Sequence, residues 1–226
     1  MGGGYVKPNV SLCDDNGNVY YNLNNNGHEY VDLGLPSGTL WATMNVGASK
    51  ASDTGLYFQW GDTSGYTEAQ IGTGSGQKKF ASNWSDYKWY DTNKKAFTKY
   101  TTTGATLDLE DDAAHVNMGG SWHMPTPTQI WELLDNTASN WITQDGVKGR
   151  LFTSKTDNSK SIFIPASGHA SNGSLGSSGS YGYVWCSTLE ANSVSYGRYY
   201  GFVSSYISLG GYINRSRGFS VRGVLG

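Results

Sequence analysis

The last third of this chain has almost no ordinary surface charge. From Ser161 to Gly226 there is no Lys and no Asp, and the charged residues are Glu190, Arg198, Arg215, Arg217 and Arg222. That segment carries +3 in a chain of net charge −2, so residues 1–160 carry −5. The split is equally compatible with chance in a weakly charged chain. Four arginines are too few for the basic patch that a nucleic acid needs, so no nucleic-acid partner is expected. Charged residues make up 15% of the whole chain, against roughly 25% in an average soluble protein, which argues against disorder driven by self-repulsion.

Other absences narrow the function classes. No apolar run approaches ~18 residues, so no helix is expected to insert in a membrane. The opening MGGGYVKPNV has no hydrophobic stretch of the signal-peptide kind. There are two cysteines, Cys13 and Cys186, with no CxxC and no metal spacing; no zinc site follows, and nothing in the sequence forces the pair together. The histidines, His28, His115, His123 and His169, show neither HExxH nor HxH. GxSxG, GxxxxGK[ST] and a strand-borne GxGxxG are missing too. The glycine-rich GTGSGQ (72–77) has no helix pattern after it to aim amides at a phosphate, and reads as a loop. Asp111 and Asp112 are adjacent, and helix neighbours point about 100° apart, so they do not form an acid/base pair. The expectation is a protein without catalytic residues, cofactor or metal.

What is present is aromatic and small-polar. Eight Trp and 16 Tyr can fill a core with few aliphatics. In SVSYGRYYGFVSSYISLGGYINRSRGFSVRG (193–223), 18 of the 31 residues are Tyr, Ser or Gly. Tyr supplies rigid amphipathic contact area and Ser/Gly supply adaptable hydrogen bonding, which is the mixture found in antibody paratopes. Strand propensity would explain the Tyr. It does not explain the Gly and Ser or the missing Lys and Asp, so a binding face is the favoured reading.

Along the chain, residues 1–27 are Gly/Asn/Asp-rich and read as a leader or the end of a preceding module. VSLCDDNGNVYYNL within them is expected to form a hairpin turning at Asp15-Asn16-Gly17. Residues 28–226 form the main domain. EYVDLGL, TLWATMNV and GLYFQWG alternate and read as short strands. TLDLEDDAAHVNMGG crowds acids at its start and places Gly119 past its end, which marks a helix N-terminus in preference to a calcium site. PTPTQIWELLDNT predicts a second helix, with a Thr126/Gln129 capping box, Pro127 at the first turn, and Ile130, Leu133 and Leu134 facing a core. Then come KGRLFTS, SIFIPAS, GYVWCST, YYGFVSS and GFSVRGV as strands, with a long polar loop at 168–182. The sum is an α+β fold of two helices, short antiparallel strands and long irregular loops.

Five strings in order, EYVDLGLPSGTLWATMNVGA (29–48), GLYFQWGDT (55–63), LDLEDDAAHVNMGGSWHMPTPTQIWELL (107–134), SIFIPASGH (161–169) and GFSVRGV (218–224), resemble the Fibrobacter succinogenes major paralogous domain family of bacterial and phage surface proteins. WHMPTPTQIWEL also resembles the W-R-x-P-T-x-x-E-W signature of formylglycine-generating-enzyme-like proteins. That resemblance implies a C-type-lectin-like fold with paired terminal strands, here Tyr30–Leu35 and Phe219–Val224. The reactive cysteine pair of those enzymes is not matched, since only Cys186 lies in the corresponding region, and the Glu-Pro-Asn and Gln-Pro-Asp sugar motifs of lectins are absent.

The chain is further similar to the variable proteins of diversity-generating retroelements. In them, adenine randomisation of Asn-type codons yields Tyr, Ser, Gly, Asn, Cys, Val, Arg and similar residues, but never Lys, Glu, Gln, Met or Trp. Residues 191–217 contain none of those five. This implies a variable region of about 183–217 on a fixed frame that includes Phe202, Ser204, Arg215 and Phe219–Arg222. Alternation sends Tyr199, Gly201 and Val203 to the face opposite Phe202. Tyr183, Tyr196, Arg198, Tyr206, Tyr212, Asn214 and Arg217 complete the expected binding face. Cys186 is either another randomised codon or a small buried residue. The resemblance implies a receptor-binding display domain, located outside the cell, on its surface or on a virion, with an unknown protein or glycan of a target cell as partner. The alternatives are a non-variable bacterial cell-surface or adhesin domain and an enzyme of the formylglycine-generating type.

Overall fold

The computed structural model describes residues 9–13 and 19–226, with side chains from residue 25 onward except at 209. The expected N-terminal hairpin forms from β1 (Asn9–Cys13) and β2 (Val19–Asn25), which pair antiparallel, while its turn at 15–17 lies outside the described residues. β3 (His28–Val31) and β4 (Leu40–Asn45) follow. A two-stranded ribbon of β5 (Tyr90–Asp91) and β6 (Ala96–Phe97) comes next. The helices are α1 (Ala113–Met118) and α2 (Pro127–Asn136). β7 (Thr137–Gln144), β8 (Val147–Ser154) and β9 (Ser161–Pro165) form an antiparallel meander. A small hairpin, β10 (His169–Ser171) and β11 (Ser174–Gly176), precedes the three-stranded sheet of β12 (Gly182–Glu190), β13 (Ser193–Phe202) and β14 (Ile207–Asn214). β15 (Arg222–Leu225) ends the chain. The architecture is thus mostly antiparallel β with two helices, α+β in the broad sense.

Both helices start as their sequences dictate. The Asp112 carboxylate accepts from the backbone N–H groups of Ala114 and His115, capping α1, and Gly119 ends it at φ 72°. A side chain at Gly119 would be strained there and would strike Asn26 as well. Thr126 and Gln129 form the reciprocal capping box of α2, with Pro127 in its first turn. Ile130 and Leu133 are fully buried and Leu134 is half-buried against the same core.

Three expectations need correction. The C-terminal strand pairs with Leu40–Asn45, and not with Tyr30–Leu35: the sheet order is β1-β2-β3-β4-β15. The reason is burial. Trp41 and Ala42 are both sealed and enter different cores, so β4 must be an inner strand, whereas every residue of β3 is only half-buried. GLYFQWG is not a strand; it makes isolated bridges, Tyr57 to Tyr66 and Phe58 to Phe219, and its Trp60 fills the core. The polar stretch 168–182 contains the β10–β11 hairpin, which the abundance of Gly and Ser concealed.

Two apolar cores flank β4, β12 and β15. One gathers Phe58, Trp60, Trp122, Trp185, Phe219 and Val221; the other Trp41, Ile130, Leu133, Phe152, Tyr200 and Phe202. Along β12, Val184 and Cys186 enter the second core while Trp185 and Leu189 enter the first. A strand covered on both faces reads as a continuous apolar run. Burying one aromatic side chain of ~200 Å² contributes about 5 kcal/mol before entropy is subtracted. Four sealed tryptophans, Trp41, Trp60, Trp122 and Trp185, therefore do the work that aliphatics do elsewhere.

Candidate functional site: the C-terminal sheet

The register of β12-β13-β14 assigns each expected contact residue to a face. Tyr183 faces Gly201 and Trp185 faces Tyr199 across β12–β13; Arg198 faces Tyr212 and Tyr199 faces Gly211 across β13–β14. Cross-strand partners share a face and neighbours alternate. Tyr183, Tyr199 and Gly201 therefore lie on one face, while Arg198 and Tyr212 lie with Tyr200 and Phe202 on the other. The expected opposition of Tyr199 and Phe202 holds. The ten residues nevertheless do not make one patch.

The first group is built on a ring stack that climbs out of the core. Phe219, fully buried, stacks on Tyr183 at 4.7 Å and 18°; Tyr183 stacks on Tyr181 at 4.9 Å and 11°. The Tyr181 hydroxyl bonds that of exposed Tyr206, and Tyr199 packs edge-on to Tyr183 at 5.4 Å. Tyr199 lies across two glycines: a Cβ at Gly201 would sit 3.0 Å from its ring, and one at Gly211 would collide with it. Gly201 is thus buried as the seat of Tyr199. Burial, then Tyr199, Tyr181 and Tyr206, push the Tyr183 hydroxyl up to about 12, so it stays a neutral donor at physiological pH. Arg217 and His169 border this group. Burial and then the Arg217 charge hold the His169 imidazole below its ordinary value.

The second group holds a stacked pair, Tyr196 and Tyr212, at 5.5 Å and 26°, exposed by 38% and 55%. Arg198 donates from Nε to Glu190 Oε2 at 3.1 Å, so its charge is already paired. Val203 lies in the connection between β13 and β14, and Asn214 is the last residue of β14. The Val203 carbonyl accepts from Arg150, and its N–H donates to the Tyr206 carbonyl. Asn214 Oδ1 accepts from Ser216 N–H and Oγ, and its Nδ2 donates to the Ser82 carbonyl.

The expected frame residues are sealed, with the exception of Ser204. Phe202, Phe219, Val221, Arg215, Ser220 and Arg222 are each 0% exposed. Arg222 donates to Asn45 Oδ1 and to the carbonyls of Ala42 and Phe163, tying β15 to β4 and β9. Arg215 lies 3.8 Å over the Phe97 ring and donates to the carbonyls of Lys99 and Tyr100. Ser204 is exposed, with its carbonyl accepting from Arg150.

No family model, curated protein or solved structure matches this chain.

Two other clusters have chemistry within reach. Ligand atoms of Asp108, Glu110 and Asp111 lie within 4.8 Å of one another, but Lys99 Nζ bonds all three, at 2.9, 2.9 and 2.6 Å, and supplies the cation itself. Asp112 beside them caps α1 and accepts from the Met124 N–H at 2.8 Å. Cys186 is a free, buried thiol, and burial pushes it up to about 12, so it has no thiolate character at neutral pH. This matches the small-buried-residue reading; the pairing question with Cys13 lies outside the described side chains. A cleft of about 250 Å³ beside β4, lined among others by His28, Met44, Asn117 and Met118, shares no residue with the tyrosine groups.

Sequence reasoning missed Tyr181 and His169. Tyr181 carried a signal: the spacing of two in Tyr181-Gly182-Tyr183 puts both rings on one side of an extended chain. His169 carried none, because a fold-back of the 168–182 segment brings it there.

Proposed function

We propose that the chain is a C-type-lectin-like display domain of a phage or bacterial surface protein, whose C-terminal sheet binds a protein or glycan on a target cell. The carrying observation is the contrast inside 193–222: the side chains of Arg215 and Phe219–Arg222 are sealed, while Tyr196, Tyr206 and Tyr212 project with 38–55% of their surface free. Exposed tyrosines on a rigid sheet provide contact area without loss of fold when they change. A surface of this kind, diversified by a retroelement, would lie outside the cell or on a virion. The test is binding to target cells or virion receptors by the full chain carrying Tyr206→Ala and Tyr212→Ala. Binding is expected to be lost at unchanged melting temperature; retained binding, or unfolding of the variant, would overturn the reading.

A second reading, a bacterial cell-surface domain with an invariant face, is favoured by the seating of Tyr199 on Gly201 and Gly211. Free randomisation at any of the three would break that fit. A reverse-transcriptase gene beside this one, with an imperfect repeat of the codons for 191–217, decides for the first reading, and its absence for the second.

A further inference from the structure

The five arginines of the chain fall into two kinds. Arg150 donates to the carbonyls of Val203 and Ser204 and to Ser139 Oγ. Arg198 pairs with Glu190, and Arg215 and Arg222 are bonded to carbonyls as described above, although Arg215 Nε, like that of Arg217, is sealed without an acceptor. Arg217 has neither a side-chain hydrogen bond nor an ion pair among the described residues, although it is half-buried and its Nε is sealed from solvent. Sealed donors without an acceptor are rare in folded proteins, because their lost hydration is not replaced.

The Arg217 charge acts on Tyr183 and His169, and among the causes that shift Tyr181, Tyr183, Tyr199 and His169 there is no carboxylate. His169 Nδ1 is likewise sealed without a partner. Glu190, the only acid after residue 161, is committed to Arg198. The side of the sheet that carries the tyrosine stack therefore holds an unspent guanidinium fork beside hydroxyl donors.

We infer that Arg217 is the specificity-determining contact of the tyrosine stack and takes a carboxylate, carried by an Asp or Glu side chain of a protein partner. The planar fork of one arginine matches one carboxylate, whereas phosphate groups are commonly held by clusters of arginines. A sugar acid is disfavoured because a pyranose stacks on open ring faces. Both faces of Tyr183 are already taken, by Phe219 and Tyr181. On Tyr183 what remains are the ring edge and the hydroxyl, the contacts a paratope offers to a protein. The inference rests on the reading of this sheet as a binding surface.

The test uses the full chain with nitrogen-labelled arginine, titrated at low salt with a hexaglutamate peptide, a hexaglutamine peptide and a galacturonic acid trimer. The Arg217 Nε–H resonance is expected to shift saturably with hexaglutamate, at least about tenfold more weakly with the other two, while Arg198 stays in place. Arg217→Lys is expected to weaken the peptide about tenfold and Arg217→Gln to abolish it, at nearly unchanged melting temperature, since no hydrogen bond or ion pair among the described residues is lost. Tighter saturation by the trimer overturns the assignment to a protein carboxylate. No shift at Arg217, or an equal shift at Arg198, overturns the site. If the titration fails while Tyr206→Ala still abolishes target binding, the binding face stands and only its charge preference falls; if Tyr206→Ala has no effect on any target, the parent reading falls instead.

Discussion

Residues 193–214 and residues 215–225 adjoin in the chain and are almost equally poor in Lys, Asp and Glu, yet they serve opposite ends. The first segment runs out along β13 and back along β14, and leaves Tyr196, Tyr206 and Tyr212 in solvent. The second threads the middle of the molecule, bridging Gly218 to Ala170, Phe219 to Phe58 and Ser220 to Val184 before β15 joins β4. The same low charge means different things in the two places. In the second segment burial enforces it, because a sealed charge is costly unless it is hydrogen-bonded, as Arg222 is to Asn45 Oδ1 and two carbonyls. In the first, solvent would tolerate Lys or Asp, so their absence needs a reason other than folding.

Removing a frame residue should have the largest effect. Phe219→Ala deletes the ring that carries Tyr183 on one face and meets Trp185 at 4.3 Å on another, and is expected to cost about 3–5 kcal/mol in urea denaturation. A cost near zero would dissolve the distinction between the segments. Arg222→Met comes next, at about 3 kcal/mol, because three buried acceptors on β4 and β9 lose their donor.

Acid sensitivity should belong to the other half of the chain. Burial raises the Asp111 carboxyl, but bonds from Lys99, Tyr100 and Lys88 outweigh it and hold the group below the usual carboxylate range. A depressed carboxyl contributes stability that is present above its unfolded value of about 4 and lost as pH falls through its folded value. Stability is therefore expected to drop below pH ~4, and Asp111→Asn is expected to flatten that drop when denaturation is followed from pH 7 downward. An unaltered slope would place the acid-labile contacts elsewhere. The smallest effect closes the comparison: Tyr206→Ala and Tyr212→Ala should each change stability by no more than about 0.5 kcal/mol, measured by thermal melting.

Local signals predicted local structure well. The caps of α1 and α2 are spelled out by Asp112, Thr126, Gln129 and Gly119, and both helices form there. The alternation around Phe202 gave the correct faces of β13. Errors arose where pairing is long-range. Nothing within TLWATMN states that it lies between HEYV and RGVL; that follows only once Trp41 and Ala42 are seen to enter separate cores. The division of the expected contact residues into two groups had the same origin, since it depends on register between strands and on Gly201 and Gly211 receiving Tyr199.

The sequence by itself determined the composition of the C-terminal segment: tyrosine, serine and glycine, with neither lysine nor aspartate. Tertiary structure decided which of those residues are available. Arg198, Arg215, Arg217 and Arg222 read alike in a string, and three of them find acceptors that folding brings from far away in the chain or from the neighbouring strand. Arg217 finds none. A hydrogen bond needs its partner within about 3 Å, and for residues distant in sequence that distance is fixed only when the whole chain has packed.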